Sequence, residues 1–328
     1  MKTQGEVLFS LFSDAGYEVT KVSCLLNRYL RLLDIVACIV RNRSKFDILV
    51  IEVYGGPSFV VEHIASSLGR LLGIRIIMWL HGGALPEFMD RFPRWTKRVL
   101  RKAEFLVTPS QYLARAISKH GFKARIIPNC IDLSNYRFRQ RKEVKPRLFW
   151  MRSFHPIWNP FMAIRVLARL KEFEPGASLV MAGQDKGLQL ASRRLAQELG
   201  LAESVRFPGF LNDGMKVTEG NAADIFINTN HVDNMPVAVV EACAMGLPVV
   251  TTAAGGIADL FRDGETALLV PVDDDEAMVK AIKRLINEPD LTQHISTRGR
   301  QLAEQSSWAV VRPQWERLFS DLGAGVST

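Results

Sequence analysis

The chain has 328 residues, of which 48% are hydrophobic and 23% are charged. This balance is typical of a folded protein large enough for two domains, and it excludes a disordered chain. The sequence contains no uninterrupted apolar run long enough to cross a bilayer, and its four cysteines show neither metal-binding nor redox spacing. We therefore expect a cytoplasmic protein with reduced thiols.

Charge is unevenly distributed along the sequence. Residues 1–145 carry 24 Lys and Arg against 12 Asp and Glu, whereas residues 146–328 carry 18 against 22. The basic part is expected to face something anionic. Within it, the segment Pro86–Lys102 places Trp95 and Val99 on one helical face and crowds basic side chains on the others. Two interpretations stay open, a helix on an anionic membrane surface and an ordinary surface helix with a solvated charged face.

The first half of the chain alternates between helical and extended patterns. Continuous apolar strands between helices indicate a parallel sheet covered on both faces, as in a Rossmann-like domain. The predicted helices are 3–15, 27–41, 59–72, 94–102 and 111–120, and the predicted strands are 17–22, 46–53, 75–80 and 105–108.

A second domain of the same type follows a stretch that we interpret as a linker. Tyr136 to Pro146 is rich in Lys and Arg and poor in apolar residues. The domains are therefore predicted as 1–143, joined by a C-terminal helix within 308–328, and 144–307. The predicted strands of the second domain are 147–151, 178–183, 205–209, 224–230, 249–252 and 268–272, and its last helices are 273–287 and 291–305.

The stretch His231–Gly256 gives the strongest functional signal. Asn234 is predicted to cap a helix that has Pro236 in its first turn and stops at Gly246. Glu241 is the only charged side chain on this apolar helix, and a buried carboxylate requires donors.

The same stretch also suits an anion. Backbone N–H groups of Asn234, Met235 and Val237 would lie at a helix N-terminus, which favours negative charge. A carboxylate beside such amides suits a nucleotide, because ribose supplies paired hydroxyl donors. The alternative is that Glu241 pairs with a nearby Arg and that the loop is an ordinary helix start.

Three further candidates follow predicted strands, where open α/β sheets bind ligands. His81 opens a loop with two glycines, although a lone histidine is more often a structural hydrogen-bonding residue. Arg152 can bind phosphate through its planar guanidinium, and its alternative is a surface salt bridge. Gly183 permits a backbone to approach closely.

Asp233 and Glu241, separated by seven residues and followed by EACAMGLPVVTTAAGG, resemble the E-x7-E signature of family-4 retaining glycosyltransferases. The segment Leu106–Tyr136 resembles the same family, and the resemblance extends from about Gly16 to the region of Trp308. It implies an α/β GT-B fold, with two Rossmann-like domains, a cleft between them and a C-terminal helix that crosses back to the first domain.

The resemblance also implies roles for single residues. Asp233 and His81 would contact the donor sugar, Glu241 would bind the ribose and Arg152 the diphosphate, and the backbone after residue 209 would read the base. The predicted catalytic residues are His81, Arg152 and Asp233, and the predicted donor-binding residues are Gly183, Phe210, Leu211, Asn234, Met235, Val237 and Glu241.

This sequence departs from the family at three places. Asp233 is one methylene shorter than the usual Glu, and no Lys follows Arg152 by about one turn to complete a cationic clamp. The chain also begins at Met1 past the family's central first strand and glycine-rich loop. We expect a natural full-length form with on the order of twenty more residues. Otherwise a vacancy in mid-sheet would leave backbone groups unsatisfied.

The implied activity is the retaining, metal-independent transfer of a sugar from a nucleotide diphosphate donor to an acceptor hydroxyl. A UDP- or GDP-sugar is expected rather than an ADP-sugar, with no further cofactor. The expected acceptor is a glycan or a lipid-linked molecule of envelope polysaccharide synthesis, and no nucleic acid partner is expected. The enzyme itself is expected in the cytoplasm, as a peripheral protein at the inner face of the membrane. A nonenzymatic nucleotide-binding paralogue and a nucleotide-sugar epimerase are the alternatives.

Overall fold

The computed structural model describes residues 3–23, 25 and 27–323 and divides the chain into two compact units. The first unit comprises the chain up to Cys130 together with the segment from Trp308, and the second comprises Ile131–Ser307. The division therefore falls before the predicted boundary at residue 143.

The first unit is a parallel four-stranded sheet, in the order β1-β2-β3-β4, with helices before and between its strands. Local sequence sets the helix starts, since the Asn27 side chain accepts from the Tyr29 N–H at 2.9 Å and Ser110 accepts from the Leu113 N–H at 3.1 Å. Its elements are α1 Gln4–Asp14, α2 Arg28–Arg41, β1 Ile48–Val53, α3 Phe59–Leu71, β2 Arg75–Leu80, α4 Leu85–Arg91, α5 Pro93–Leu100, β3 Phe105–Thr108, α6 Gln111–Ser118 and β4 Ala124–Ile126.

The strand predicted at Tyr17–Val22 does not form. Among the described residues β1 pairs only with β2, so that the segment has no neighbouring strand to join. Tyr17 instead packs edge-on against Phe12, with ring centroids 5.1 Å apart, and its hydroxyl donates to Glu316 Oε1 at 2.6 Å. In the described part of the chain the sheet therefore ends at β1.

The second unit is a parallel six-stranded sheet in the order β10-β9-β8-β5-β6-β7. Strand order reverses between β5 and β8, which makes their carboxyl ends a topological switch point, where open α/β sheets bind ligands. Its elements are β5 Arg147–Met151, α7 Pro160–Lys171, β6 Ser178–Ala182, α8 Gln189–Glu198, β7 Val205–Gly209, α9 Asp213–Ala222, β8 Ile225–Asn228, α10 Val237–Ala244, β9 Val249–Thr252, α11 Ile257–Leu260, β10 Leu268–Val270, α12 Asp275–Asn287 and α13 Pro289–Glu304.

The stretch interpreted as a linker is an integral part of the second unit. Arg141 is buried, and its guanidinium donates to the carbonyls of Gly220, at 2.9 Å, and Met245. These carbonyls lie at the C-terminal ends of α9 and α10, where the helix dipole favours a cation. A composition rich in Arg therefore reflects helix capping here and not solvation.

The last helix, α14 Trp308–Asp321, belongs to the first unit, as predicted. The buried ring of Trp315 packs edge-on against Trp79 of β2, with centroids 5.1 Å apart. Residues 324–328, part of the predicted C-terminal segment, lie outside the described residues. The fold class is confirmed as α/β with two Rossmann-like units, and no helix in the described ranges is long and apolar enough to span a membrane.

Candidate active site

The switch point of the second unit brings two predicted site residues into contact. Arg152 follows β5 directly and Asp233 lies in the loop between β8 and α10. The guanidinium Nη2 of Arg152 lies 2.5 Å from Asp233 Oδ2, and both side chains are about nine-tenths buried. The pair is thus a buried ion pair and not the surface salt bridge considered for Arg152.

Further donors complete the surroundings of this pair. Asn230 Nδ2 donates to Asp233 Oδ2 at 2.9 Å, and Arg152 Nε donates to Asn228 Oδ1 at 3.2 Å. The guanidinium also lies over the ring of Trp158, 4.7 Å from its centroid. Arg152 is therefore held in one position by groups from β8, its following loop and the turn after β5.

The loop before α10 corrects two predictions about Asn234. The helix begins at Val237 with Pro236, and not Asn234, as its N-cap, and no side-chain hydrogen bond caps it. The Asn234 N–H donates to Asp233 Oδ1 at 2.8 Å and is not available to an anion. The Val237 N–H, in contrast, has no hydrogen-bond partner in the described part of the chain. Met235 is buried in the apolar core beneath the loop.

Glu241 is buried on α10, as predicted, and it has two donors to one oxygen. The Tyr136 hydroxyl donates to Glu241 Oε1 at 2.7 Å, and the Lys216 ammonium donates to the same atom at 2.9 Å. The counter-charge is therefore a Lys, whereas the alternative interpretation expected an Arg. Lys216 also lies 3.4 Å from Asp213 Oδ1.

This arrangement shifts the titration of both donors. Burial alone would lower the pKa of Lys216, but the carboxylates of Glu241 and Asp213 outweigh it and raise the pKa above its usual value. Burial and the adjacent Glu241 raise the pKa of Tyr136. Both groups therefore remain proton donors throughout the neutral range. Sequence reasoning missed both, because Tyr136 lay in the presumed linker and Lys216 on a helix with mixed polarity.

Gly183 provides close backbone contact, as its residue type suggested. Its φ is +151°, and a Cβ added there would lie 1.8 Å from the carbonyl oxygen of Arg152. Its N–H donates to the carbonyl of Gly209 at 2.8 Å. After that strand, the Phe210 ring is half exposed, whereas Leu211 is buried in the same core as α10.

His81 lies in the first unit, at the carboxyl end of β2. Burial lowers the pKa of His81 to about 3, so that the imidazole is neutral near pH 7. Its Nε2 lies 3.5 Å from Glu52 Oε1, and its ring stacks on Tyr54 with centroids 5.4 Å apart. Burial raises the pKa of Glu52, which follows the exposed Val50 near the end of β1 and was not predicted as a site residue.

The described residues contain no group of three or more His, Cys, Asp or Glu side chains that could hold a metal ion. The polar groups at the switch point are instead those of Arg152 and Asp233, together with their amide neighbours. This donor set suits an anionic organic ligand with hydroxyl groups.

Comparison with known proteins assigns the family. The family described as glycosyl transferases group 1 matches residues 134–302, and the family described as glycosyltransferase family 4 matches residues 10–135. The chain belongs to the group 1 glycosyltransferases. It is therefore a glycosyltransferase enzyme, and the predicted family and enzyme class are confirmed.

Individual relatives of this glycosyltransferase agree with the family. The phosphatidyl-myo-inositol mannosyltransferase of Mycobacterium leprae is 23% identical over 288 residues, which cover 86% of this chain and 75% of that protein. The structure of sucrose-phosphate synthase from Thermosynechococcus elongatus has a TM-score of 0.80 at 16% identity, over 98% of this chain and 92% of that one. Anabaena HepE in complex with UDP and glucose has a TM-score of 0.76 at 18% identity, over 95% and 88% of the respective chains. At these identities, the two structures show a common GT-B fold.

Proposed function

We propose that this glycosyltransferase takes its sugar from a nucleoside diphosphate sugar bound at the switch point of the second unit. The observation that carries the proposal is the arrangement around α10. Asp233, which pairs with Arg152, lies in the loop that precedes this helix, and the N–H of Val237 lies at its start. Glu241 lies one turn further along the helix. The helix and the loop before it therefore combine an anion site and a hydroxyl acceptor at a spacing that suits a nucleotide.

Each group has a separate role in this proposal. Glu241 accepts hydrogen bonds from the ribose hydroxyls, while Arg152 and the Val237 amide bind the diphosphate. As the bond to the sugar breaks, negative charge grows on the departing diphosphate, and a fixed guanidinium and a helix N-terminus stabilise that charge. Because Arg152 is already held by Asp233 and Asn228, little reorganisation is needed when charge develops.

The proposed reaction retains the configuration at the sugar and does not depend on a metal. Asp233 keeps Arg152 in place in this scheme and lies beside the donor sugar, where the resemblance to family-4 enzymes puts the first acid. Gly183 lets the backbone after β6 pass directly over the Arg152 carbonyl, and residues 210–211 lie beside the base.

Relatives support the classes of donor and acceptor. HepE was solved with UDP and glucose, and the mycobacterial relative carries phosphatidyl-myo-inositol mannosyltransferase in its name. We propose a UDP- or GDP-sugar donor and a glycan or lipid-linked acceptor in envelope glycan synthesis at the cytoplasmic side. His81 stays a predicted contact of the donor sugar.

The proposed membrane contact is electrostatic in character. Arg94, Lys97 and Arg98 of α5 are exposed. Trp95, in contrast, packs edge-on against Phe59 and donates to His63 Nδ1 at 2.9 Å. An indole engaged in the core does not insert into lipid, so that only the basic side chains are available to an anionic surface.

A donor screen tests the proposed function. UDP-, GDP- and ADP-sugars are incubated with the enzyme, and release of the nucleoside diphosphate is measured together with binding by calorimetry. We expect binding and slow hydrolysis with a UDP- or GDP-sugar, and Glu241→Ala should weaken that binding. Unchanged affinity in Glu241→Ala would remove this residue from the ribose role.

A further inference from the structure

The buried carboxylate of Glu241 is bound unevenly, because both of its donors contact the same oxygen. Tyr136 and Lys216 each donate to Oε1, at 2.7 and 2.9 Å. In the described part of the chain no hydrogen bond is made to Oε2. Oε1 is thus held by the protein, whereas Oε2 remains able to accept further hydrogen bonds.

The two donors come from separate elements that converge on this atom. Lys216 lies on α9, and Tyr136 ends the short 3-10 helix Leu133–Asn135 that precedes the second sheet. Both side chains are largely buried. Two donors on one atom fix the orientation of a carboxylate more tightly than a single contact does, because rotation would break both hydrogen bonds.

Fold stability alone does not call for a charged residue at position 241. Apart from Glu241, α10 contains only Val, Ala and Cys, and it is packed in a large apolar core. Replacement of a buried ion pair by apolar residues of similar volume is often neutral or stabilising. A carboxylate held here by an ammonium and a phenol therefore fits a role in ligand binding better than a role in stability.

We propose that Lys216 and Tyr136 are positioning residues that make this site selective for ribonucleotides over 2′-deoxyribonucleotides. By holding Oε1, they direct Oε2 of an ionised Glu241 toward the vicinal hydroxyl pair of the ribose. Lys216 supplies the counter-charge of the carboxylate, and Tyr136 fixes its orientation. This inference rests on the proposed function, which assigns Glu241 to the ribose.

The test compares the dissociation constants of UDP and 2′-deoxy-UDP by calorimetry, or of GDP and 2′-deoxy-GDP if GDP binds more tightly. We expect the natural chain to prefer the ribonucleotide by about ten- to hundredfold, as for one or two hydrogen bonds to a charged group. Lys216→Met and Tyr136→Phe should each remove most of this preference. Lys216→Arg should keep it, and so should the control Lys280→Met, which breaks an exposed Lys–Glu pair on α12.

A pH series separates positioning from general loosening of the fold. Lys216→Met removes the ammonium but leaves the Glu241 carboxylate in its apolar surroundings, where an unpaired charge is costly. Ribonucleotide binding by Lys216→Met should therefore weaken more than that of the natural chain as the pH falls from 8 to 5. The natural chain and Lys216→Arg should show no such additional loss.

The outcomes distinguish this inference from the proposed function. Full ribose discrimination in both Lys216→Met and Tyr136→Phe overturns the inference. Full discrimination in Glu241→Gln overturns the ribose role of Glu241 itself, and with it the proposed function on which the inference rests. If Lys216→Met fails to fold, Tyr136→Phe decides, because it removes a single hydroxyl from a ring that otherwise stays packed.

Discussion

Arg152 Nη2 lies 2.5 Å from Asp233 Oδ2, where both side chains are about nine-tenths buried. Asp233→Asn keeps the shape of the site but leaves the guanidinium without its counter-charge. We expect a loss of about 3–5 kcal/mol in the free energy of unfolding, as for other broken buried pairs. Urea denaturation measures this difference.

A control for this variant exists on the surface of the same unit. Arg284 Nε lies 3.1 Å from Glu288 Oε1, and the two side chains are 51% and 46% exposed. Glu288→Gln should cost less than about 1 kcal/mol, because solvent screens the pair. Equal losses in both variants would show that Asp233 does not hold a buried charge.

Gly183→Ala should disturb the site through the backbone of Arg152. The new Cβ would meet the Arg152 carbonyl oxygen at 1.8 Å, and the positive φ adds strain of about 1–3 kcal/mol. Gly187→Ala is the control, because Gly187 also has a positive φ, +103°, but nothing lies within 4 Å of its added Cβ. Only Gly183→Ala should weaken nucleotide binding, as measured by calorimetry, and equal affinities in the two variants would contradict this relationship.

His81 should make stability fall on mild acidification. Its folded pKa, about 3, lies below the unfolded value of 6.5, so that below pH 6.5 the unfolded chain binds the proton and the folded protein does not. The His81 contribution is thus complete above pH 6.5 and is lost toward pH 3, by at most about 1.4 kcal/mol per pH unit. His81→Gln should have a flatter profile of unfolding free energy between pH 7 and 5. Parallel profiles for the two proteins would show that the imidazole is protonated in the fold.

The exposed cations of α5 should bind anionic membranes through charge alone. We expect the natural chain to sediment with vesicles that contain phosphatidylglycerol at low salt and to be released at about 0.5 M salt, where the Debye length is only a few ångströms. A variant with Arg94, Lys97 and Arg98 changed to Ala should lose binding. The same change at three exposed cations of the second unit, Lys186, Arg262 and Lys280, should not. Loss in both variants would mean that net charge, and not this helix, drives binding.

Local patterns predicted most strands and helices to within a few residues, since apolar runs and caps are encoded within one element. The strand ranges 75–80, 105–108, 147–151, 205–209 and 249–252 agree with the structure at both ends. The strand predicted at Tyr17–Val22 is wrong for a different reason. A strand forms only beside a neighbouring strand, and the pattern of one segment does not show whether such a neighbour exists. Tyr17 instead packs against Phe12 and donates a hydrogen bond to Glu316.

In the site, too, the placement of single residues could be predicted from neighbouring sequence, but their contacts with residues far away in the chain could not. The burial of Glu241 followed from its apolar helix, and the position of Arg152 followed from the end of its strand. Their partners did not, because Tyr136 lies 105 residues from Glu241 and Lys216 lies 25 residues away. The basic composition around Arg141 predicted a linker, whereas its guanidinium caps the C-terminal ends of two helices within the second unit.

The contacts of Arg141 and Tyr136 determine where a fragment of the second unit must begin if it is to be expressed on its own. A fragment that opens at residue 144 would discard the phenol on Glu241 and the guanidinium on the ends of α9 and α10. A fragment that opens at Ile131 keeps both, and it alone should be recovered as a monodisperse, nucleotide-competent protein.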